Sequence, residues 1–221
     1  MPPRFLPAPR RELSEEEAID EVARFASVMS SRRSIRSFSR EPFDLGLVRR
    51  ALEVATSAPS GANVQPWHFV VVTDAGVKTR IRRAAEEEER DFYSSKGAKE
   101  WLEALEPLGT DWRKPFLEDA PVLIVVFEIH RSATTPKPYY VKESVGLAVG
   151  FLLAALHHAG LATLTHTPSP MKFLNDILGR PPHERPFALI PVGKPATDAE
   201  VPDIRKKTLD QVTTWVDGDG S

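Results

Sequence analysis

The sequence predicts a domain in which helices pack on a β-sheet, of the α+β or α/β class. Helical segments with recognisable capping residues alternate with short, nearly all-apolar runs that have the length of buried strands. The 221 residues include 41% apolar and 27% charged side chains, which is ordinary for a globular protein. We therefore expect a single domain, residues 1–221, with a sizeable core.

Composition argues against several classes of function. The formal net charge of −2 gives no global field that would attract nucleic acid or an anionic membrane. The chain has no cysteine, which excludes disulfides, thiolate nucleophiles and cysteine-ligated metals. The longest apolar stretch, Val145–Leu156, is much shorter than the ~20 residues of a membrane span, and no signal peptide is recognisable. We expect a cytoplasmic protein without a membrane segment.

Capping residues place the helices. Ser14 and Glu17 form a capping box at the start of the first helix, whose apolar residues share one face. Asp44 and Asp74 are suited to cap the second and third helices. Glycines close the last two helices at the C′ position, because glycine adopts the left-handed conformation without strain. These helices are expected at Glu143–Ala159, before Gly160, and at Met171–Leu178, before Gly179.

Short apolar runs place the strands, at Phe69–Val72, Pro121–Phe127, Leu161–Thr167 and Ala188–Val192. The first run has no polar alternation, so we expect it to be buried on both faces. In the helix predicted after the second strand, Gly146 and Gly150 lie one turn apart and would let a partner helix or a ligand approach closely. Taken alone, they are expected to pack in the core. Residues 1–13 are rich in proline and are expected to be extended over the surface.

The stretch 86–117 is a candidate lid over a ligand. It opens with four glutamates, and its aromatic residues stand among charges (Tyr93, Trp101 and Trp112). A segment that is poorly stabilised by itself, yet rich in aromatic anchors, is typical of a lid that orders over a ligand. A solvated helical hairpin on the surface is the alternative that composition leaves open.

Three polar clusters are candidates for a binding site. Arginines at 32, 33 and 36 lie among serines, a combination that suits a phosphate monoester, with a solvated basic loop as the alternative. The small-residue loop Ala58–Ala62 could offer backbone N–H groups to a flat ring or an oxyanion, or be an ordinary turn. The third cluster is the end of the strand at Thr165–Thr167. P-loop, GxGxxG, HExxH and GxSxG signatures are missing, and scattered histidines give no support for a metal site.

These clusters occur in sequence pieces that resemble a known family. SRRSIRSF, SAPSGANVQPWHFVVV, the lid and GRPPHERPFALIPVGKP are similar to the FMN-dependent nitroreductase superfamily and, within it, to the iodotyrosine deiodinases. The similarity covers roughly residues 31–212 and is specific at APSGANVQPW, at the lid and at LLAALHHAGLATLTHTP. It implies an α+β nitroreductase-like fold with a central mixed sheet flanked by helices. It also implies a homodimer in which a C-terminal arm, residues 202–221, extends to the other subunit.

The resemblance implies an FMN site. In that family the RRSxR run binds the FMN phosphate, the APSGA loop packs against the flavin, and a strand-end threonine hydrogen-bonds near flavin N5. Thr167 is then the implied catalytic residue. The implied cofactor-binding residues are Arg32, Arg33, Ser34, Arg36, Pro59, Ser60, Gly61, Thr165, His166, Thr167 and Lys206.

The resemblance also implies a substrate, a halogenated tyrosine. Glu89, Tyr93 and Lys114 match the lid residues that bind its amino-acid end, and the backbone of Ala62 matches the group that holds its phenolate. Glu89 and Tyr93 are four residues apart, so they can share one helical face. The implied reaction is reductive dehalogenation of iodo-, bromo- or chlorotyrosine to tyrosine and halide, with electrons from NAD(P)H or a separate reductase.

The sequence departs from the family pattern at two positions. The middle threonine of a triplet is His166, and an expected C-terminal arginine aligns with Lys206, whose ammonium is a point charge rather than a fork. We expect FMN affinity to differ accordingly. The membrane anchor of the animal enzymes is not recognisable, as in the soluble bacterial type. Two alternative functions are a general NAD(P)H-dependent nitroreductase or quinone reductase, and a non-catalytic flavin- or halotyrosine-binding protein.

Overall fold

A four-stranded sheet forms the centre of the chain, of which the computed structural model describes residues 3–96, 100, 103, 105–131 and 138–216. The strands are β1 (Trp67–Val72), β2 (Val122–Ile129), β3 (Ala162–Thr163) and β4 (Glu184–Gly193). They lie in the order β1-β2-β4-β3, and each neighbouring pair is antiparallel. β2 and β4 therefore form the centre, and a register shift between Val126 and Phe127 bends their pairing.

Helices cover both faces of this sheet. The predicted caps are confirmed: Ser14 and Glu17 form a capping box, and the carboxylates of Asp44 and Asp74 accept from backbone N–H groups of the first helical turn. No helix in the described ranges is long and apolar enough to cross a membrane. The helices are α1 (Glu15–Ser30), α2 (Leu45–Thr56), α3 (Ala75–Asp91), α4 (Phe116–Asp119), α5 (Val141–His158) and α6 (Phe173–Leu178).

Alternate residues of β2 serve two cores, because successive side chains of a strand point to opposite faces. Ile124 and Val126 pack with the inner faces of α2 and α5. Leu123 and Val125 pack with α3, α4 and α6 on the other face. Since β2 is buried along nearly its whole length, the expectation of a buried strand at this position is confirmed. The second face carries the candidate site, because α3 and α4 bound it.

Three expectations about the sheet need correction. The strands form an antiparallel sheet rather than a mixed one, and the parallel pairing that is described is a single bridge between Ser34 and Thr163. β1 is not buried on both faces: it is an edge strand, and Val71 is 40% exposed. Regular pairing in the predicted strand Leu161–Thr167 stops at Thr163, beyond which His166 alone bridges to Leu189 in β4.

Two helices present apolar faces to solvent. α1 has no buried residue, and Ile19 and Val22 on its apolar stripe are 63% and 68% exposed. Gly146 and Gly150 on α5 do not pack in the core as expected, because a Cβ built at either position has no atom within 4 Å. We call the apolar stripe of α1 and the glycine-containing side of α5 the open faces. Both helices therefore have apolar or small-residue surface that the described chain does not cover.

The two ends of the chain lie along the surface. Residues 3–13 are exposed and have neither helix nor strand, as predicted for the proline-rich segment. In the C-terminal arm, residues 202–216 form turns and extended chain, and no strand is formed there. Its apolar side chains remain exposed, with Leu209 at 65% and Trp215 at 77%. Residues 217–221 of the predicted arm lie outside the described part of the chain.

Candidate active site

A cavity of about 650 Å³ lies between the C-terminal half of α3, the segment before α4 and the residues after β3. It contains parts of two of the three polar clusters that the sequence singled out, and the three lid residues that the resemblance assigned to the substrate, Glu89, Tyr93 and Lys114. Its lining includes Arg36, Arg82, Glu89, Tyr93, Thr110, Lys114, Phe116, Thr165, His166 and Thr167. The geometry thus joins seven of the fifteen predicted site residues within one chain.

Glu89 and Lys114 meet at this cavity as a buried ion pair. The Lys114 ammonium lies 3.2 Å from Glu89 Oε2, and the two side chains are only 6% and 14% exposed. The same ammonium lies 5.3 Å from the centre of the Tyr93 ring and donates to the carbonyl oxygen of Asp111. Removing either partner of such a pair would leave a charge buried without compensation, which is strongly unfavourable.

Tyr93 directs its hydroxyl to the far side of the predicted lid. Its oxygen lies 3.0 Å from Thr110 Oγ1, and burial is the main cause that raises the pKa of Tyr93 above its ordinary value. The phenol is therefore neutral and available as a hydrogen-bond donor. The backbone that carries it continues α3 in a π-helical turn, Phe92–Lys96, which keeps Tyr93 beside Glu89. Trp101 and its neighbours in the lid lie outside the described residues.

After β3, the side chains of residues 165–167 point alternately to the surface and to the core. Thr165 and Thr167 are exposed, whereas His166 between them is buried, as the two-residue period of an extended chain requires. The His166 ring packs edge-on against Phe116, with ring centres 5.4 Å apart. Its Nε2 has no hydrogen-bond partner in the described part of the chain. Burial, followed by the charges of Lys114 and Arg36, lowers the pKa of His166 to about 3, so its imidazole is neutral.

The arginine cluster runs alongside the same strand end. The Ile35 N–H donates to the carbonyl oxygen of Thr163 at 3.0 Å, which brings Arg36 to the cavity. Burial lowers the pKa of Arg36, and its guanidinium forms no ion pair with any residue that the structure describes. Ser34 bridges to Thr163, Arg32 is partly buried, and Arg33 donates to the carbonyl oxygens of Ser30 and Arg32.

The loop Pro59–Ala62 lies outside this cavity. Ala62, Asn63 and Gln65 all have positive φ, of 49°, 56° and 50°, which is strained for residues other than glycine. Ser60 Oγ accepts from the Gln65 N–H at 2.9 Å and holds the loop closed. This part of the predicted site is formed and exposed, but the chain does not bring it to the rest.

Two further features separate the loop and the arm from the cavity. A Cβ built on Gly61 would lie 3.2 Å from Tyr140 and 3.3 Å from Tyr139, so glycine is what lets this aromatic pair cover the loop. Lys206 in the C-terminal arm is exposed and does not line the cavity either.

The nitroreductase family matches residues 29–194 of the chain. The chain belongs to the nitroreductase family. It is 51% identical over 209 residues to the iodotyrosine deiodinase of Haliscomenobacter hydrossis, with 93% of this chain and 94% of that protein covered. It is 40% identical over 218 residues to iodotyrosine deiodinase 1 of Homo sapiens, with 96% of this chain and 75% of that protein covered.

Solved structures show the same relationship. Oxidized iodotyrosine deiodinase, crystallised with FMN and 3-iodo-L-tyrosine, matches with a TM-score of 0.74 and 34% identity over 86% of this chain and 100% of that chain. A putative NADH dehydrogenase/NAD(P)H nitroreductase of Bacteroides thetaiotaomicron matches with a TM-score of 0.64 at 21% identity, over 86% of this chain and 96% of that chain, and shares the fold. The nitroreductase-like fold and the resemblance that the sequence pieces indicated are confirmed.

The structure of this nitroreductase-family chain adds residues that sequence reasoning did not select. Arg82 lines the cavity and donates to Glu86 Oε1 at 2.8 Å. Thr110 positions the Tyr93 hydroxyl, and Phe116 packs on His166. The four-residue spacing of Arg82 and Glu86 predicts their pairing on a helix. It gives no indication that the pair faces a cavity, because that depends on the segment that packs against α3.

Proposed function

We propose that this chain is an FMN-dependent enzyme that removes halogen reductively from iodo-, diiodo-, bromo- and chlorotyrosine. The observation that carries the proposal is the set Glu89, Tyr93 and Lys114, partly or fully buried, which offers an anion, a hydroxyl and a cation to one ligand in one cavity. The relatives named iodotyrosine deiodinase, one of them solved with FMN and 3-iodo-L-tyrosine, support it.

The lid residues account for selection of an amino acid. Without a ligand, Glu89 and Lys114 pair with each other. A zwitterion that places its ammonium beside Glu89 and its carboxylate beside Lys114 keeps every buried charge paired. A ligand with only one of these groups leaves one protein charge buried and unpaired, which typically costs ~2–5 kcal/mol. We therefore expect halotyrosines to bind more tightly than the corresponding phenols or amines.

FMN fits the residues at this cavity. Arg36 is partly desolvated and lacks an ion-pair partner in the described ranges, which suits it to a phosphate dianion. His166 Nε2 is a second polar atom without a partner there. We assign Arg32, Arg33, Ser34, Arg36 and Lys206 to the phosphate, and Thr165, His166, Thr167, Pro59, Ser60 and Gly61 to the flavin.

The reaction exchanges a carbon–halogen bond for a carbon–hydrogen bond, and it consumes two electrons and one proton as halide leaves. Bound FMN supplies the two electrons, after reduction by NAD(P)H or a separate reductase. Among the protein groups, we assign Thr167 a hydrogen bond near flavin N5 and the Ala62 N–H the substrate phenolate. Glu89, Tyr93 and Lys114 hold the amino-acid end, and the lid excludes water. We place the enzyme in the cytoplasm, since a chain without cysteine needs no oxidising compartment.

We further propose a homodimer with a site at each end of the subunit interface. The loop Pro59–Ala62 does not line the cavity of its own chain. The open faces of α1 and α5 and the exposed arm present apolar surface of the kind that subunit contacts cover. A second copy would bury these faces and bring its loop to the cavity of the first.

Halide release tests the proposed function directly. The purified protein is expected to be yellow, with one FMN per chain, and to release iodide and tyrosine from 3-iodo-L-tyrosine once its flavin is reduced with dithionite. Reduction of nitroaromatics with NADPH, in a protein that releases no iodide, would identify a general nitroreductase instead. Tight binding of iodotyrosine without iodide release would identify a binding protein. Either result contradicts the proposal.

A further inference from the structure

One glutamate of the run at 86–89 is bound both to a side chain of its own helix and to the backbone of the segment before α4. Glu86 Oε1 accepts from the Lys114 backbone N–H at 2.7 Å and from Arg82 Nε at 2.8 Å. Arg82 Nη1 also donates to Glu118 Oε2 at 3.2 Å. Arg82, Glu86, Lys114 and Glu118 thus form a polar clamp that joins α3 to Lys114, two residues before α4, and to α4 itself.

The clamp is shielded from water. The side chains of Arg82 and Glu86 are 30% and 14% exposed, and the Glu86 bond raises the pKa of Arg82. One turn earlier on α3, the buried Lys78 ammonium donates to the carbonyl oxygens of Glu118 and Ala120. α3 therefore fixes the short segment 114–120 at both of its ends. Charge-assisted hydrogen bonds in such surroundings are stronger and better oriented than exposed ones.

The backbone of Lys114 determines where its ammonium lies. The Lys114 side chain reaches Glu89, one turn beyond Glu86 on the same helix, so both carboxylates hold the same residue at different atoms. A displaced backbone at Lys114 would separate its ammonium from Glu89 without changing either ionised group. Misplacement of a binding group by about 1 Å is sufficient to weaken recognition.

We propose that Glu86, held by Arg82, is a positioning residue that sets the Lys114 ammonium for the carboxylate of an amino-acid ligand. This inference rests on the proposed function for the identity of the ligand, but the clamp itself is a property of the chain. The glutamates of the run then have different roles. Glu89 faces the ligand, Glu86 positions Lys114, and Glu87 is exposed.

Matched variants within the run separate positioning from general charge loss. In FMN-loaded protein, Glu86→Ala is expected to weaken 3-iodo-L-tyrosine binding about tenfold, the scale of one lost hydrogen bond to a charged group. Glu86→Gln keeps an acceptor oxygen for the Lys114 N–H and is expected to lose about threefold. Glu87→Gln is the control and should match the unmodified protein. Binding of 2-iodophenol, which lacks the amino-acid end, should be the same in all four proteins.

Hydrogen exchange at the Lys114 amide provides a readout that does not depend on the proposed substrate. The amide is expected to be protected in the unmodified protein and in Glu87→Gln, and to exchange at least tenfold faster in Glu86→Ala. Equal protection in Glu86→Ala would overturn the positioning role, as would an equal loss of iodotyrosine and iodophenol binding. If the unmodified protein binds no iodotyrosine, the proposed function fails, and the exchange rates still decide whether Glu86 fixes Lys114.

Discussion

The lid and the loop Ser60–Gln65 belong to one predicted site but differ in how complete each is within a single chain. In the lid, Glu89 and Lys114 are buried and already paired, so their charges are balanced before any ligand arrives. In the loop, the backbone is strained at Ala62 and Gln65, and no residue of the loop lines the cavity. The lid can therefore be assembled by a single chain, whereas the loop has the form of a group made to meet another molecule.

The difference shows how the lid and the loop would each be stabilised. Buried ion pairs exclude ligands that lack complementary charges, and they need no second subunit. A left-handed conformation at an ordinary residue costs ~1–2 kcal/mol and persists only where its surroundings hold it in place. Here Ser60 Oγ supplies one such restraint, and the Tyr139–Tyr140 pair supplies contacts at Gly61. The comparison can be tested from both sides.

The largest effect is expected from closing the open face of α5 to a second subunit. Gly150→Glu introduces a charge where a Cβ meets no atom within 4 Å, so the isolated chain tolerates it. If a second copy supplies the loop, this charge should convert the dimer to monomer and abolish FMN retention, because burying an unpaired carboxylate in an interface is prohibitive. Size-exclusion chromatography with light scattering and flavin absorbance measure the two outcomes.

A second surface variant controls for the added charge. Arg83 is exposed on α3, away from both open faces, and Arg83→Glu should remain dimeric with its full FMN content. A Gly150→Glu protein that becomes monomeric and retains FMN would show that the loop and the cavity act within one chain. The contrast between a lid that one chain assembles and a loop that serves a second chain would then be wrong.

The next effect concerns His166, the buried histidine of the site. The pKa of His166 is about 3 in the folded protein, against an ordinary value of 6.5. Above pH 6.5 the imidazole is neutral in both states, and as pH falls further the unfolded chain takes up a proton that the folded chain does not. The free energy of unfolding should therefore decrease on acidification, by about 3 kcal/mol at pH 4.5 from this group alone. Urea unfolding at pH 7 and pH 4.5 measures it.

Replacement of the histidine isolates this contribution from that of the carboxylates, which titrate in the same range. His166→Thr removes the titrating group, so its loss of stability between pH 7 and pH 4.5 should be smaller by about 3 kcal/mol. Parallel loss in both proteins would mean that His166 is protonated without penalty, and that the cavity near Lys114 and Arg36 is wetter than its burial indicates.

The sequence predicted where helices begin better than it predicted what surrounds each helix and strand. Ser14, Asp44 and Asp74 located helix starts correctly because a cap depends on residues within one turn. The apolar residues of α1 share one face, as the sequence predicted, yet that face is exposed, because periodicity does not specify which molecule covers a face. The same limit explains β1, whose apolar run is typical of a central strand although it lies at the sheet edge.

The site residues show this limit again. Glu89, Tyr93 and Lys114 were selected through the resemblance, since their separation along the chain gives no local signal, and the structure brings them together. Glu86 was not selected, although it adjoins them, because its role depends on a backbone N–H that sequence does not display. Sequence patterns identify which side chains can act as acids or cations, but not which backbone atoms they meet.

A smaller effect is expected from removing the positive charge of the lid. Lys114→Met leaves Glu89 without its partner, so 3-iodo-L-tyrosine affinity should fall by about 2–3 kcal/mol. The amine 3-iodotyramine carries only an ammonium, which Glu89 can still pair, and it should bind this variant at least as well as it binds the unmodified protein. Titrations followed by flavin fluorescence measure both affinities.

The exposed neighbour of the lysine provides the control. Arg113 pairs with Asp111 on the surface, so Arg113→Met should change neither affinity by more than about 0.5 kcal/mol. If Lys114→Met weakens tyrosine and tyramine derivatives equally, the lysine supports the lid without selecting a carboxylate.

The smallest expected effect distinguishes the strained loop from the lid. Ser60→Ala removes the oxygen that accepts the Gln65 N–H, and it should lower the free energy of unfolding by about 1 kcal/mol. Ser57→Ala removes a hydroxyl that donates to Val54 in an exposed turn, and it should cost less. Because the loop is assigned the phenolate, Ser60→Ala should also weaken 2-iodophenol and 3-iodo-L-tyrosine by the same factor. A loss confined to the amino acid would mean that the loop acts through the lid, and the two regions would then be one cooperative unit.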